Sequence, residues 1–212
     1  MTKTKRKGLV GSFIIIFVIL LLDQVLKIWV KLHFTIGQEI PVLGNWFKLL
    51  FIENPGMAFG WMGGGGAMKA FLSIFRIVAV VALLFILFKL SKKHTSFGVM
   101  AGIALITAGA LGNIIDCVFY GQMFSASDYH HVAALFPEGG GYAGWLHGKV
   151  VDMLYFPVID IARDSNSWLP DFFFGQDGHF IFFRPIFNLA DAAITIGVFY
   201  MVIFQWKWLK GR

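Results

Sequence analysis

The stretch IFNLADAAITIGVFYMVIFQW, residues 186–206, decides the fold of this chain. At a rise of about 1.5 Å per residue, it is long enough to cross the hydrocarbon core of a bilayer, which is about 30 Å thick. It nevertheless contains the carboxylate of Asp191 close to its start. Because ionisable residues inside membranes are costly, they mark paired or functional positions. The stretch therefore predicts a transmembrane helix with a polar site near one end.

The composition extends this prediction to the whole chain. Of the 212 residues, 58% are hydrophobic, 17% are aromatic and 14% are charged, and the mean hydropathy is +0.72. Soluble domains have lower apolar and higher charged fractions. Three more segments, at about residues 12–30, 67–90 and 96–119, have the length and composition of membrane spans. We expect one all-α integral membrane domain, residues 1–212, with four transmembrane helices.

Basic residues predict the orientation of these helices. They lie before the first span, between the second and third spans, and after the fourth, and cytoplasmic loops are enriched in such residues. The three clusters are Lys3, Lys5, Arg6 and Lys7, then Lys89, Lys92 and Lys93, and then Lys207, Lys210 and Arg212. This pattern indicates an N-in, C-in topology. It also accounts for the net charge of +6, so we expect no nucleic-acid partner.

The two long connections, about residues 31–66 and 120–185, are then extracytoplasmic. Residues 36–51 contain a proline, a glycine and short apolar runs, which favour a few weak strands rather than another span. We therefore expect a small extracytoplasmic β-sheet beside an enlarged outer loop.

Polar residues within the predicted spans lie close to their outer ends. All of them are within about 13 Å of those ends at 1.5 Å per residue. They are Asp23, Lys27, Arg76, Asn113, Asp116, Asn188 and Asp191. A charged residue at the middle of a membrane helix costs about 2.5–3.5 kcal/mol on insertion scales, so these side chains are expected to face one another or water. Small residues of the third span allow such close packing.

Several kinds of catalytic site can be compared with this pattern. Serine hydrolysis needs a histidine base near the nucleophile, yet every histidine lies in a loop or at a helix edge. The His-Glu-x-x-His pattern of zinc hydrolases is absent, and His130-His131 in a loop indicates a metal only weakly. Two aspartates that share a proton can hydrolyse a peptide without metal or cofactor. Four acids are available for such a pair, and spacing alone does not choose among Asp23, Asp116, Asp152 and Asp191.

Five ordered blocks carry a resemblance to a known family. They are DQ at 23–24 with Lys27, NPGMAFG at 54–60, GALGNIID at 109–116, VVD at 150–152 and FNLAD at 187–191. Together they resemble the motifs of bacterial lipoprotein signal peptidase, also called signal peptidase II. The blocks extend over nearly the whole chain and occur in the order found in the family.

The resemblance implies a catalytic dyad of Asp152 and Asp191. It also implies that Asn54, Asn113 and Asn188 orient the dyad or bind the substrate backbone, and that the loop containing Gly56 closes over the substrate. We assign Asp23 and Lys27, spaced i, i+4, to a supporting ion pair. We expect Asp116 to bind substrate or to support the dyad.

The substrate implied by the resemblance is a diacylglyceryl-modified prolipoprotein, whose signal peptide is cut off before the lipidated cysteine. The expected location is the bacterial cytoplasmic (inner) membrane, with the active site near the periplasmic face. The expected partners are this substrate and membrane lipid, and we expect a monomer without metal or cofactor.

Two features depart from the family pattern. The family usually has arginine after the aspartate of Gly-Asn-x-x-Asp, whereas this chain has Cys117, and Lys149, Arg163 and Arg184 are candidates to replace that charge. The outer loop is also long, with an insert at 120–149 and an aromatic segment at 160–184. The aromatic segment is expected to anchor the chain at the membrane interface or to cover the site.

Two other classes of protein stay open at this point. Asp23, Lys27, Arg76 and Asp191 could form a relay in a small proton- or ion-coupled transporter. Their position in the outer half of the bilayer argues against a path across it. A structural membrane subunit would leave the proposed dyad without a role.

Overall fold

The computed structural model describes residues 3–55, 65–93, 95–163 and 169–211. Its helices are α1 (Lys3–His33), α2 (Gly65–Lys92), α3 (Phe97–Ile115), α4 (Gly121–Met123), α5 (Leu189–Phe204) and α6 (Trp206–Leu209). Its strands are β1 (Glu39–Leu43), β2 (Phe47–Asn54), β3 (Val150–Tyr155), β4 (Ile159–Ala162), β5 (His179–Phe182) and β6 (Ile186–Phe187). A π-helical segment, Asp116–Tyr120, connects α3 to α4.

Among the described residues, three helical stretches have the length and composition of membrane spans, namely Gly8–His33, Lys69–Lys92 and Phe97–Met123. The fourth predicted span, residues 186–206, was placed too early and is shorter than expected. Its first two residues form β6, and α5 has 16 residues. The cause is local, because the side chain of Asn188 caps the helix and the strand before it pairs with β3.

Segments between the long helices form two sheets, so the fold is mixed helix and sheet rather than all-α. A four-stranded antiparallel sheet has the order β1-β2-β3-β6, which confirms the small sheet predicted from residues 36–51. At the two ends of the aromatic segment, β4 and β5 pair antiparallel in a separate two-stranded sheet. A short 3-10 turn, Asp171–Phe173, precedes β5.

Helices α3 and α5 pack closely enough for their backbones to touch. A Cβ atom added to Gly109 would lie 2.1 Å from the carbonyl oxygen of Ala190, and one added to Gly102 would lie 2.6 Å from the sulfur of Met201. The glycine hydrogen is therefore the only substituent that fits at Gly109. This confirms the contact surface of small residues that the third span predicts.

Two buried apolar clusters lie one above the other. The first joins α1, α2, α3 and α5 around residues such as Leu87, Met100 and Ala104. The second joins the outer end of α1 to β2, β3 and the π-helical segment, around Phe34, Phe51 and residues nearby. The polar site lies where these two clusters meet, since its residues come from α1, α3, β3 and the start of α5.

The insert folds back onto the π-helical segment before it leads into β3. The backbone N–H of Gly148 donates to the carbonyl of Cys117 at 2.9 Å. A Cβ on Gly148 would lie 2.0 Å from the carbonyl oxygen of Asp116, so this approach also requires glycine. The contact fixes the point at which β3 begins and thereby the position of Asp152.

Candidate active site

Asp152 lies on the buried strand β3, and its residue is only 3% exposed. Its register partner across the sheet is Ile52 of β2. The side-chain amide of Asn188 donates to Asp152 Oδ1 at 2.6 Å, and that of Asn54 donates to Oδ2 at 3.3 Å. Both carboxylate oxygens therefore have a side-chain donor.

Asp191 lies in the first turn of α5 and is half-buried. Its backbone N–H donates to Asn188 Oδ1 at 2.9 Å, which is the N-cap hydrogen bond of the helix. Asn113 of α3 donates to Asp191 Oδ1 at 2.7 Å. Asn188 thus contacts Asp152 with its amide nitrogen and the backbone of Asp191 with its amide oxygen, and this brings the two acids to one site.

A buried ion cluster lies beneath the two acids. Lys27 Nζ is 2.9 Å from Asp23 Oδ2 and 2.8 Å from Asp116 Oδ2, and all three residues are at most 1% exposed. Lys27 also donates to Asn113 Oδ1 at 3.0 Å. The expected Asp23–Lys27 ion pair is therefore confirmed, and Asp116 completes it as a second acid.

Each acid of the cluster also holds the backbone beside one aspartate of the site. Asp23 Oδ1 accepts from the N–H of Ala190 at 2.9 Å, directly before Asp191. Asp116 Oδ2 accepts from the N–H of Val151 at 3.2 Å, directly before Asp152. The cluster therefore sets the separation of β3 from the start of α5.

Gln24 and Tyr120 complete this network, although the sequence motifs assign no role to them. Gln24 donates to Asp23 Oδ2 at 3.1 Å and to Asp116 Oδ1 at 3.0 Å. The hydroxyl of Tyr120 donates to the side-chain amide oxygen Oε1 of Gln24 at 3.1 Å. The signal available in the sequence was the position of Gln24 next to Asp23 in the first motif.

The environment of Asp152 favours its protonated form. Burial raises the pKa of Asp152 to about 7, and the nearby charge of Asp191 adds to this increase. The hydrogen bonds from Asn188 and Asn54 act in the opposite direction, because they stabilise the carboxylate. A pair of acids in unlike environments, one of them protonated near neutral pH, has the properties of an acid–base dyad.

The three candidates for the missing arginine are paired elsewhere. Lys149 lies 3.0 Å from Glu53, Arg163 lies 2.8 Å from Asp171, and Arg184 lies 3.1 Å from Asp177.

The guanidinium beside Cys117 belongs to α2 instead. Arg76 Nη1 donates to Cys117 Sγ at 3.3 Å. A cation therefore reaches this position from a neighbouring helix.

One predicted site residue, Gly56, lies outside the described residues. A group that the motif-based prediction missed joins the buried residues Lys31 and Glu53 to the partly exposed Lys149. Glu53 lies within ion-pair distance of Lys31 and is 3.0 Å from Lys149. Glu53 directly precedes Asn54, so this group holds β2 beside the site.

Comparison with known proteins identifies the family. The family model for signal peptidase (SPase) II matches residues 15–207. The chain belongs to the signal peptidase II family. It is therefore a peptidase of an aspartic protease family, and its apolar helices indicate that it is embedded in a membrane.

Individual relatives agree with the family match. A lipoprotein signal peptidase of Porphyromonas gingivalis is 48% identical over 191 residues, which are 89% of this chain and 80% of that protein. One from Amoebophilus asiaticus is 38% identical over 86% of this chain and 72% of its own length.

Solved structures are also similar. A bacterial membrane enzyme solved by the in meso method at 2.3 Å has a TM-score of 0.59 and 25% identity, covering 93% of this chain and 88% of that one. The transporter alternative has no support in these comparisons. In addition, two of its four charged residues, Asp23 and Lys27, are paired within the buried cluster.

Proposed function

We propose that this chain is an intramembrane aspartic endopeptidase that removes the signal peptide from diacylglyceryl-modified prolipoproteins. It cuts before the lipidated cysteine, and Asp152 and Asp191 form its catalytic dyad. The family and the names of the relatives support the substrate class. The observation that carries the assignment of the dyad is the double contact of Asn188, which donates to Asp152 and caps α5 by accepting from the backbone N–H of Asp191.

In the proposed reaction, Asp191 begins as the carboxylate and Asp152 as the protonated acid. Asp191 takes a proton from water while the water oxygen attacks the scissile carbonyl carbon. Asp152 first donates a hydrogen bond to the carbonyl oxygen, and a proton is then transferred to the departing amine as the C–N bond breaks. The raised pKa of Asp152 supports this division of roles. The first turn of a helix is also a favourable place for a carboxylate charge, as at Asp191.

The proposed site lies near the outer face of the bacterial cytoplasmic membrane. We place four helices across the bilayer, N-in and C-in, with α5 as the fourth. The 16 residues of α5 extend about 24 Å, and α6 contains Lys207 and ends before Lys210. In this arrangement the dyad is at the depth at which the lipidated cysteine of a signal helix emerges, and water can reach it.

The test is cleavage of a synthetic signal peptide that carries a diacylglyceryl-cysteine. The purified wild-type chain should cut directly before that cysteine. Asp152→Asn and Asp191→Asn should each reduce kcat by at least about 10³-fold while the substrate still binds, because each removes one partner of the proton exchange. Asp160→Asn is the matched control, since this exposed acid lies on β4 and pairs with His179. Full activity in either dyad variant would contradict the proposal.

A further inference from the structure

An apolar groove begins at Asp191 and continues along α5. Its volume is about 480 Å³, which is within the range of ligand sites. One wall is the exposed side of α5, from Asp191 through Thr195 to Ile196. The other wall is the segment between β5 and α5, which contributes Phe183, Pro185 and Phe187. The groove therefore connects the proposed dyad to the lateral surface of the bundle.

The outer wall of the groove is held in place by its own backbone and by other rings. Phe183 has a φ of +64°, which is uncommon for a residue with a bulky side chain. Its ring lies edge-on to Phe187, with 6.0 Å between centroids. Phe187 stacks in turn on Phe156, and Phe156 stacks on Phe47. This series of rings connects the wall to the main sheet, so the groove has a supported side.

The chemistry of the lining favours a hydrocarbon chain. Apart from the carboxylate of Asp191, the only polar side chain in the lining is the hydroxyl of Thr195. A peptide segment would bring N–H and C=O groups into the groove, and these need hydrogen-bond partners away from water. Pro185 has no N–H to offer them. An acyl chain needs no such partners.

The groove is also open on the side expected to face lipid. Ile196 is 59% exposed and Phe183 is 48% exposed. From Asp191 to Ile196 the helix rises about 7.5 Å, so the groove leads from the dyad along the helix towards the middle of the proposed span. A chain attached to the residue that follows the scissile bond could enter it from the bilayer.

We propose that this groove binds one acyl chain of the diacylglyceryl group on the substrate cysteine. This inference rests on the proposed function, and it assigns substrate selection to Thr195, Ile196 and the segment 183–187. The chain lies between α5 and the aromatic wall, with its ester end towards Asp191. Recognition of the lipid then places the peptide bond before the cysteine next to the dyad.

A pair of tryptophan substitutions tests the groove. Ile196→Trp fills the groove. Ile203→Trp is the control, because Ile203 lies on the same helix face two turns further on and is 62% exposed. Burial of each acyl methylene strengthens binding about fourfold. If the tryptophan displaces one or two methylenes of the acyl chain from the groove, KM for a dipalmitoyl substrate should rise about tenfold. KM for a diacetyl substrate should change less than about twofold, and kcat should stay constant.

Ile203→Trp should behave as the wild type with both substrates. Equal increases in KM for the long-chain and short-chain substrates, or the same effect from Ile203→Trp, would overturn the proposal.

Photo-crosslinking separates this proposal from the proposed function. A substrate with a diazirine in one palmitoyl chain is bound to the Asp152→Asn variant and irradiated, and the labelled peptide is sequenced. Label on Phe183, Thr195 or Ile196 supports the groove, and label confined to α1 or α2 rejects it. If the wild type cleaves the lipidated peptide but the label lies elsewhere, only the groove is wrong. If the wild type cleaves neither substrate, the proposed function fails, while the label still decides whether the groove binds acyl chains.

Discussion

Lys27 and Lys31 lie one turn apart on α1, and both are fully buried, but their partners differ. Lys27 pairs with Asp23 of the same helix and with Asp116 at the end of α3. Lys31 pairs with Glu53 of β2 and donates to Ser127 of the insert at 2.8 Å. The first lysine therefore joins the helices beneath the dyad, and the second joins the outer segments above it.

The two groups also differ in how their charges are balanced. In the first group one lysine faces two acids, and both acids also bind backbone N–H groups next to the dyad. In the second group one acid, Glu53, faces the two cations Lys31 and Lys149. Burial alone would raise the pKa of Glu53, but these two cations hold it below its ordinary value. Loss of one cation should thus be severe in the first group and partly compensated in the second.

The largest effect is expected from Lys27→Met. It leaves two carboxylates buried without their cation, and breaking a buried pair in this way costs about 3–5 kcal/mol. Cleavage should be lost as well, because Asp23 and Asp116 position the backbones of Ala190 and Val151. Thermal unfolding in detergent and the cleavage assay measure the two effects. Wild-type stability in this variant would show that the cluster is not needed to hold β3 against α5.

A smaller effect is expected from Lys31→Met, which is the matched substitution one turn away. Lys149 remains beside Glu53, so the carboxylate keeps a cation, and the free energy of unfolding should fall by about 1–3 kcal/mol. Contacts of the Lys31 ammonium with the rings of Phe124 and Tyr142 are lost too. The thermal unfolding midpoint of this variant is measured in detergent and compared with that of Lys27→Met. A loss as large as that of Lys27→Met would remove the distinction between the two groups.

Lys149→Met should have less effect than either. Its side chain is 39% exposed, and ion pairs accessible to solvent contribute about 1 kcal/mol or less. Cleavage should remain near the wild-type rate. The double variant Lys31→Met/Lys149→Met should then lose more stability than the sum of the single losses, because Glu53 is left without a cation. Simple additivity in this cycle would contradict the sharing of Glu53 by the two lysines.

The smallest effect concerns the pH dependence of cleavage. Because the pKa of Asp152 is raised to about 7, its protonated form is lost as the pH rises through that value, and the rate should fall there. A second decline at low pH should follow from protonation of both acids of the dyad. The apparent pKa values of the two limbs therefore describe the coupled pair and not one residue each. The charge of Lys27 lowers the pKa of Asp152, whereas Lys31 is not among the groups that shift it most. We therefore expect Lys31→Met to keep the wild-type alkaline limb.

Asn54→Ala should move the alkaline limb to higher pH by a few tenths of a unit. The substitution removes a hydrogen bond at 3.3 Å that stabilises the Asp152 carboxylate. A rate-versus-pH profile of the purified enzyme measures the shift. Movement of the limb to lower pH would show that Asn54 does not stabilise the charged form.

Local spacing predicted Asp23–Lys27 but could not predict the contacts of Lys31. The i, i+4 spacing identifies the first pair within one helix, whereas Glu53 and Lys149 are far from Lys31 in the chain and belong to no shared motif. Residue 31 was also placed at the start of a loop, although α1 continues to His33. Apolar length alone overestimated the fourth span, because pairing of Ile186–Phe187 with β3 depends on a strand that lies about thirty residues earlier in the chain.

The sequence by itself determined the membrane class, the clustering of polar residues towards one end of the spans, the small residues of α3 and, through ordered motifs, the family. These features are local patterns of hydropathy, size and order along the chain. Only the tertiary structure decided that Asn188 connects Asp152 to the start of α5, that Arg76 reaches Cys117, and that Phe183 and Phe187 line a groove beside Asp191. Those contacts arise between distant segments, and their geometry depends on how closely the backbones pack, as at Gly109 against Ala190.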